Sequence, residues 1–168
     1  MIGRKKYFLV EGQFIITTVP AEIITVLGSC VSVCLWDKSK RMGAMNHYLL
    51  PGNDDDEAGN PSRGISATKM LIRSMINRQG DVKNIEAKIF GGSNSLQNIK
   101  GKLSVGERNV EVALHVLKDA GISVIANQTG GSFGRKIIFN TRTGKVRMRL
   151  LTKPLTEIIE EINKGFGY

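Results

Sequence analysis

The sequence predicts a single α+β domain in which mixed or antiparallel sheets are flanked by two or three helices. Short runs of alternating apolar and polar residues recur along the chain, several of them separated by turn-forming stretches short enough to make local hairpins. Only two or three segments carry the apolar stripe of a helix facing a core. The length of 168 residues and a hydrophobic fraction of 41% suit one unit, residues 1–168, that buries its own core.

The elements follow in order. Residues 5–18 alternate loosely around Gly12 and predict a first strand or hairpin, punctuated by Pro20. Ile23 to Leu27 is apolar and leads, as a buried strand, into a Gly28-Ser29 bend. Val31 to Trp36 alternates with period two, Val31, Val33 and Leu35 sharing one face, and reads as a half-buried strand. Asp37 to Arg41 with Met42-Gly43 forms the turn, and Ala44 to Leu50 the returning strand. Residues 52–61 are acidic and rich in turn formers, an exposed loop placed to close over a substrate. Its consecutive carboxylates lack the alternating spacing of a calcium loop, so no metal site is expected there.

Ser66 to Asn77 predicts an amphipathic helix with Met70, Leu71, Met75 and Ile76 as core fillers. Ala87 to Phe90 is a short buried strand ending at Gly91-Gly92-Ser93. Neither phosphate-binding glycine motif is present, so the pair reads as a tight turn that lets backbone approach closely, and no cofactor is expected. Ser104 and Glu107 have capping-box spacing, followed by Val110, Leu114 and Leu117 at helical intervals and by Gly121 as a stop; His115 in this helix is structural or superficial. Ile122 to Ala126 is a strand, and residues 127–134 form a glycine-rich loop that is either a plain connection or a backbone surface for substrate. Residues 136–140 and 145–151 make a terminal hairpin, the most basic region, with Arg135, Lys136, Arg142, Lys145, Arg147 and Arg149. Leu155, Ile158, Ile159 and Ile162 define a last helical stripe that packs on the sheets or docks a partner.

Composition narrows the function classes. No apolar run reaches the roughly 18–20 residues needed to cross a bilayer, and the N-terminus lacks the pattern of a secretory leader, so a cytoplasmic protein without membrane insertion is expected. The two cysteines, Cys30 and Cys34, fall on one face of one strand about 13 Å apart at ~3.3 Å per residue, beyond disulfide reach. Both are expected as reduced thiols, with Cys34 in the core. The net charge of +9 suits an acidic partner or a plain solvated basic face; the basic residues are scattered and aromatics make up only 6%, which argues against nucleic acid.

Chemistry concentrates between Thr25 and Pro51, which holds both cysteines and one of the chain's two histidines. The predicted hairpin folds His47 back toward Cys30. A free thiol with pKa near ~8.5 is mostly protonated at neutral pH, and an adjacent imidazole can take its proton and later deliver it to a leaving group. Backbone N–H groups around Gly28, Ser29 and Cys30 can hold an oxyanion. Thr25, or another hydroxyl or carbonyl, can accept from the second ring nitrogen. The residues thus specify an acyl-transfer site.

Leu27-Gly28-Ser29-Cys30-Val31 and the histidine 17 positions later, before Leu49-Leu50-Pro51, resemble the chemotaxis CheD family, the chemoreceptor glutamine deamidases. Lys88 to Asn94, Gly106 to Asn109 and Gly130 to Lys136 resemble further family segments in the same order, so the likeness spans roughly residues 8–152. It implies a β-sandwich core with outer helices, Cys30 as nucleophile and His47 as its partner; from the residues, no cofactor and no metal are expected. The family's assisting threonine can stand one residue farther from the cysteine, so giving that role to Thr25 takes a one-residue gap. The resemblance also implies the cytoplasmic helices of methyl-accepting chemoreceptors as substrate and a CheC-type chemotaxis phosphatase as partner. By the logic of the acyl-transfer site, a receptor glutamyl methyl ester is a second expected substrate, its carbonyl being similar and its leaving group better. The competing expectations are a non-enzymatic adaptor that binds receptor and phosphatase, which would not need an intact Cys30–His47 pair, and a cysteine hydrolase of small molecules.

Overall fold

A computed structural model describes residues 5–53, 55, 59–94, 102–153 and 155–166. Among the described residues nine strands form two sheets. The strands are β1 (Lys5–Phe8), β2 (Gln13–Thr17), β3 (Ala21–Leu27), β4 (Val31–Asp37), β5 (Met42–His47), β6 (Ile85–Gly91), β7 (Ser123–Thr129), β8 (Arg135–Asn140) and β9 (Val146–Leu150). The helices are α1 (Gly64–Asn77), α2 (Val105–Asp119) and α3 (Leu155–Phe166). One sheet has the order β1-β3-β8-β9 and the other β2-β5-β4-β6-β7. Each is mixed: β1 runs parallel to β3 and β6 parallel to β7, and the remaining pairs are antiparallel. The expected α+β class holds, as a sandwich with helices outside both sheets.

Side-chain parity builds the layers. Ile23 and Leu27 from β3, Ile137 and Phe139 from β8, and Cys34, Met45 and Phe90 from the other sheet fill the space between the sheets. The alternate residues Val31, Val33 and Leu35 of β4, with Ile85, Ala87 and Ile89 of β6, face outward onto α1 and α2. On the opposite outer face Ile162 of α3 packs with Val26 and Leu151. Burial of a large aliphatic side chain in such layers contributes about 1.5–3 kcal/mol.

The structure corrects several expectations. Residues 5–18 are not a hairpin: β1 and β2 lie in different sheets, so the turn between them bridges the layers. β4 is buried on both faces, because the second sheet covers the side that was expected to meet water. In α1, Leu71 and Met75 are buried but Ile76 is 44% exposed; in α2 the buried stripe is Asn109, Ala113, Val116 and Leu117, leaving Leu114 37% exposed. α2 does open on the expected capping box, Ser104 Oγ accepting from the Glu107 N–H at 3.2 Å and Glu107 Oε2 from the Ser104 N–H at 2.7 Å. Part of the acidic loop, residues 54 and 56–58, lies outside the described residues. Among those described, no helix is long and apolar enough to cross a membrane.

Candidate active site

Cys30 is positioned by a change of sheet. β3 belongs to the four-stranded sheet and β4 to the five-stranded one, so Gly28, Ser29 and Cys30 carry the chain across the gap. Three carbonyls pin this bend. Gly28 accepts from the Ser93 N–H at 2.9 Å, Ser29 from Asn109 Nδ2 at 2.9 Å and Cys30 from the Gly92 N–H at 2.8 Å. The Gly91-Gly92 turn therefore brings its backbone close to the Cys30 bend, the close backbone approach expected of the glycine pair. A Cβ at Gly91 would lie 2.1 Å from the Cys30 carbonyl oxygen, and Gly91 has a φ of +108°, so no other residue type fits without displacing Cys30.

Hairpin pairing delivers His47. Beyond the β4–β5 ladder, Val31 and Tyr48 exchange backbone hydrogen bonds of 3.0 and 3.1 Å, and this antiparallel register sets His47 opposite Ser32 and diagonal to Cys30 on the same inner face. His47 shares the inner face of β5 with Met45, and Thr25 the inner face of β3 with Ile23 and Leu27. The two meet between the sheets, Thr25 Oγ1 standing 2.8 Å from His47 Nδ1. The one-residue offset in the sequence motif does not keep Thr25 from the histidine.

The direction of that bond follows from its surroundings. Thr25 Oγ1 also lies 2.6 Å from the Leu9 carbonyl oxygen, which can only accept. The single hydroxyl proton goes to Leu9, so Thr25 accepts from Nδ1–H, and the neutral ring carries its lone pair on Nε2. Nε2 is buried and has no hydrogen-bond partner among the described residues. A ring nitrogen of His47, Cys30 Sγ and a Glu11 carboxylate oxygen all lie within 4.8 Å of one another.

Burial sets the protonation states. It pushes the His47 imidazole down to about 4, against a small opposing pull from the Leu9 carbonyl. Burial, helped by the negative charge and hydrogen bond of Glu11, pushes the Cys30 thiol up to about 12. At neutral pH the pair is thus a thiol beside a neutral imidazole, equipped for proton transfer during attack and not stored as an ion pair. The site opens into a cavity of about 510 Å³, lined by Gly28, Ser29, Cys30 and His47 and rimmed by apolar Val10, Leu49 and Ile159.

A model of the family described as CheD chemotactic sensory transduction matches residues 49–150. The chain belongs to the CheD family. That match begins just after His47, and full-length relatives extend the likeness. A probable chemoreceptor glutamine deamidase CheD of Trichlorobacter lovleyi is 41% identical over 142 residues, 84% of this chain and 88% of the relative. A probable chemoreceptor glutamine deamidase CheD 1 of Anaeromyxobacter dehalogenans is 37% identical over 149 residues, 89% of this chain and 86% of the relative. Among solved structures, the hypothetical protein YfiH of Bacillus licheniformis gives a TM-score of 0.48 at 17% identity, covering 69% of this chain and 49% of that one.

Within this CheD chain the structure brings Thr25, Cys30 and His47 together and leaves Gly28 and Ser29 on the cavity wall. It does not bring His115 there; that side chain is 73% exposed and pairs with Asp119 at 3.1 Å. Arg135, expected on the basic surface, is buried and donates to the Gln128 and Gly130 carbonyls, holding the glycine-rich loop. Three neighbours of the site escaped the sequence reading: Leu9, Glu11 and Asn109. Asn109 is fully buried, and its Nδ2 donates to Ser29 O at 2.9 Å and Leu49 O at 3.0 Å, tying the cysteine bend to the segment after His47. Its place in the Gly106–Asn109 family segment was the available signal.

Proposed function

We propose that this protein is a chemoreceptor glutamine deamidase, with Cys30 as nucleophile, His47 as general base and acid, and Thr25 as the group that orients the imidazole. The observation that carries the reading is the Leu9–Thr25–His47 chain of hydrogen bonds, which leaves an unpartnered nitrogen lone pair next to the cysteine at a cavity mouth. The relatives' names supply the substrate class.

In the reaction, His47 Nε2 takes the Cys30 proton as Sγ bonds to the side-chain amide carbon of a receptor glutamine. A trans peptide sets its N–H opposite its carbonyl, so with the Gly28 and Ser29 carbonyls held by Ser93 and Asn109 the N–H groups of Ser29 and Cys30 turn away from that scaffold, as oxyanion donors must. His47 returns the proton to the nitrogen, the C–N bond breaks and ammonia leaves a thioester. Water, deprotonated by His47, attacks the same carbon; the C–S bond breaks, giving glutamate and the thiol. A glutamyl methyl ester enters the same path with methanol leaving.

The exposed apolar residues Val10, Leu49 and Ile159 around the mouth, and exposed Arg142, Lys145 and Arg149 on the terminal hairpin, suit an amphipathic, acidic receptor helix. A CheC-type phosphatase is the protein partner this reading implies. The test is mass spectrometry of a chemoreceptor cytoplasmic fragment incubated with the wild type and with Cys30→Ala. Glutamine-to-glutamate conversion by the wild type alone is expected; conversion by both, or by neither, would leave the adaptor role as the better account.

A further inference from the structure

Glu11 takes no part in the chemistry above, yet its carboxylate sits 3.8 Å from Cys30 Sγ. The thiolate sulfur, an imidazole nitrogen and a carboxylate oxygen are the donor types that zinc prefers, and here all three lie within 4.8 Å of one another. His47 is 4% exposed and its Nε2 has no partner, the state of a nitrogen with an open coordination position. We propose that Glu11, Cys30 and His47 form an inhibitory site for zinc and similar borderline-soft divalent cations.

Geometry and charge support three protein ligands and an open fourth position. Metal–ligand distances of about 2.0–2.3 Å in a tetrahedron put donor atoms roughly 3.3–3.7 Å apart. The present spacing is slightly wide, and Glu11 is the residue able to close it, being an exposed side chain on the turn between β1 and β2. The adjoining cavity of about 510 Å³ leaves space for a water as fourth ligand. Binding releases one proton: Cys30 gives its thiol proton to solvent and its sulfur bonds to the metal, while the Nε2 lone pair and the Glu11 carboxylate complete the set. One thiolate and one carboxylate balance the two positive charges, so the buried site stays neutral. Magnesium and calcium, which require oxygen ligands, have no comparable set here.

Such a cation removes nucleophile and base together. Inhibition rests on the reading of Cys30 as nucleophile; binding does not. The experiment is titration of the chelator-treated, full-length protein with Co²⁺ under anaerobic conditions, following thiolate-to-metal charge-transfer absorption, then displacement by Zn²⁺. One equivalent is expected to bind to the wild type and to Cys34→Ala, none with a thiolate band to Cys30→Ala, and Glu11→Gln is expected to bind at least tenfold more weakly. In parallel, Zn²⁺ is expected to inhibit turnover reversibly by EDTA, with at least a tenfold higher inhibition constant in Glu11→Gln and no inhibition by Mg²⁺. A thiolate band that persists in Cys30→Ala, or equal affinity in Glu11→Gln, would overturn the site. Cobalt binding in a protein without deamidase activity would keep the site and remove the deamidase reading.

Discussion

Cys30 and Cys34 are the same residue type, four positions apart, one just before β4 and one within it, both facing the space between the sheets, and they differ in what stands beside them. Both are buried, 7% and 2% exposed, and burial pushes both thiols up to about 12. Both border the core cluster of Ile23, Met45 and Phe139 between the sheets, and Cys34 has Lys88 opposite it in the ladder. Around Cys30 are a cavity, an imidazole with an open lone pair and a carboxylate. Acidity does not separate the two; a neighbouring base and a route to substrate do. A buried thiol of high pKa is a packing element until a proton acceptor stands beside it.

The sharpest way to separate them is deletion. Cys30→Ala is expected to lower deamidation by at least ~10³-fold, the effect of removing the proposed nucleophile. His47→Gln follows, at about 10²- to 10⁴-fold, the usual contribution of a general base. Thr25→Val leaves Nδ1–H without an acceptor, a cost of about 1–3 kcal/mol that corresponds to roughly 10- to 100-fold in rate. Thr25→Ser keeps the acceptor and is expected to stay near wild type, a rescue that a purely structural role of the methyl group would not give.

Smaller effects test the scaffold on each side. Asn109→Ala releases the Ser29 and Leu49 carbonyls and is expected to cost about 2–3 kcal/mol in denaturant unfolding as well as turnover. The folded pKa of His47, about 4, lies below its ordinary 6.5, so the unfolded chain takes up a proton that the native one refuses. Stability is therefore full above pH 6.5 and falls as pH drops toward 4, by up to about 3 kcal/mol, and unfolding titrations in EDTA are expected to lose that component in His47→Gln. Cys34→Ala is expected to cost only about 1–2 kcal/mol from its small cavity, with turnover retained.

The same contrast explains what the sequence could disclose. The Cys30–His47 pairing was legible because one hairpin, with local period-two patterning, sets it. The capping box of α2 and the terminal hairpin were legible for the same reason: their partners are a few residues away. Leu9, Glu11 and Asn109 were not, since they reach the site across a sheet gap or from a helix some 80 positions from Ser29. Thr25 could be named but not ranked against other hydroxyls until the register of β3 placed it on the inner face. The burial of β4 on both sides was hidden because the covering sheet takes β8 and β9 from far along the chain and folds the adjacent β3 onto a different layer. Arg135 counted as surface charge by sequence, whereas the carbonyls that bury it belong to a loop conformation no local pattern encodes.

The measurement that bears most directly on the central claim is deamidation of one receptor fragment by Cys30→Ala and Cys34→Ala side by side, with both variants shown folded by circular dichroism. Turnover lost in Cys30→Ala and retained in Cys34→Ala is the predicted result. Turnover retained in Cys30→Ala would contradict the account, and so would its loss from a folded Cys34→Ala.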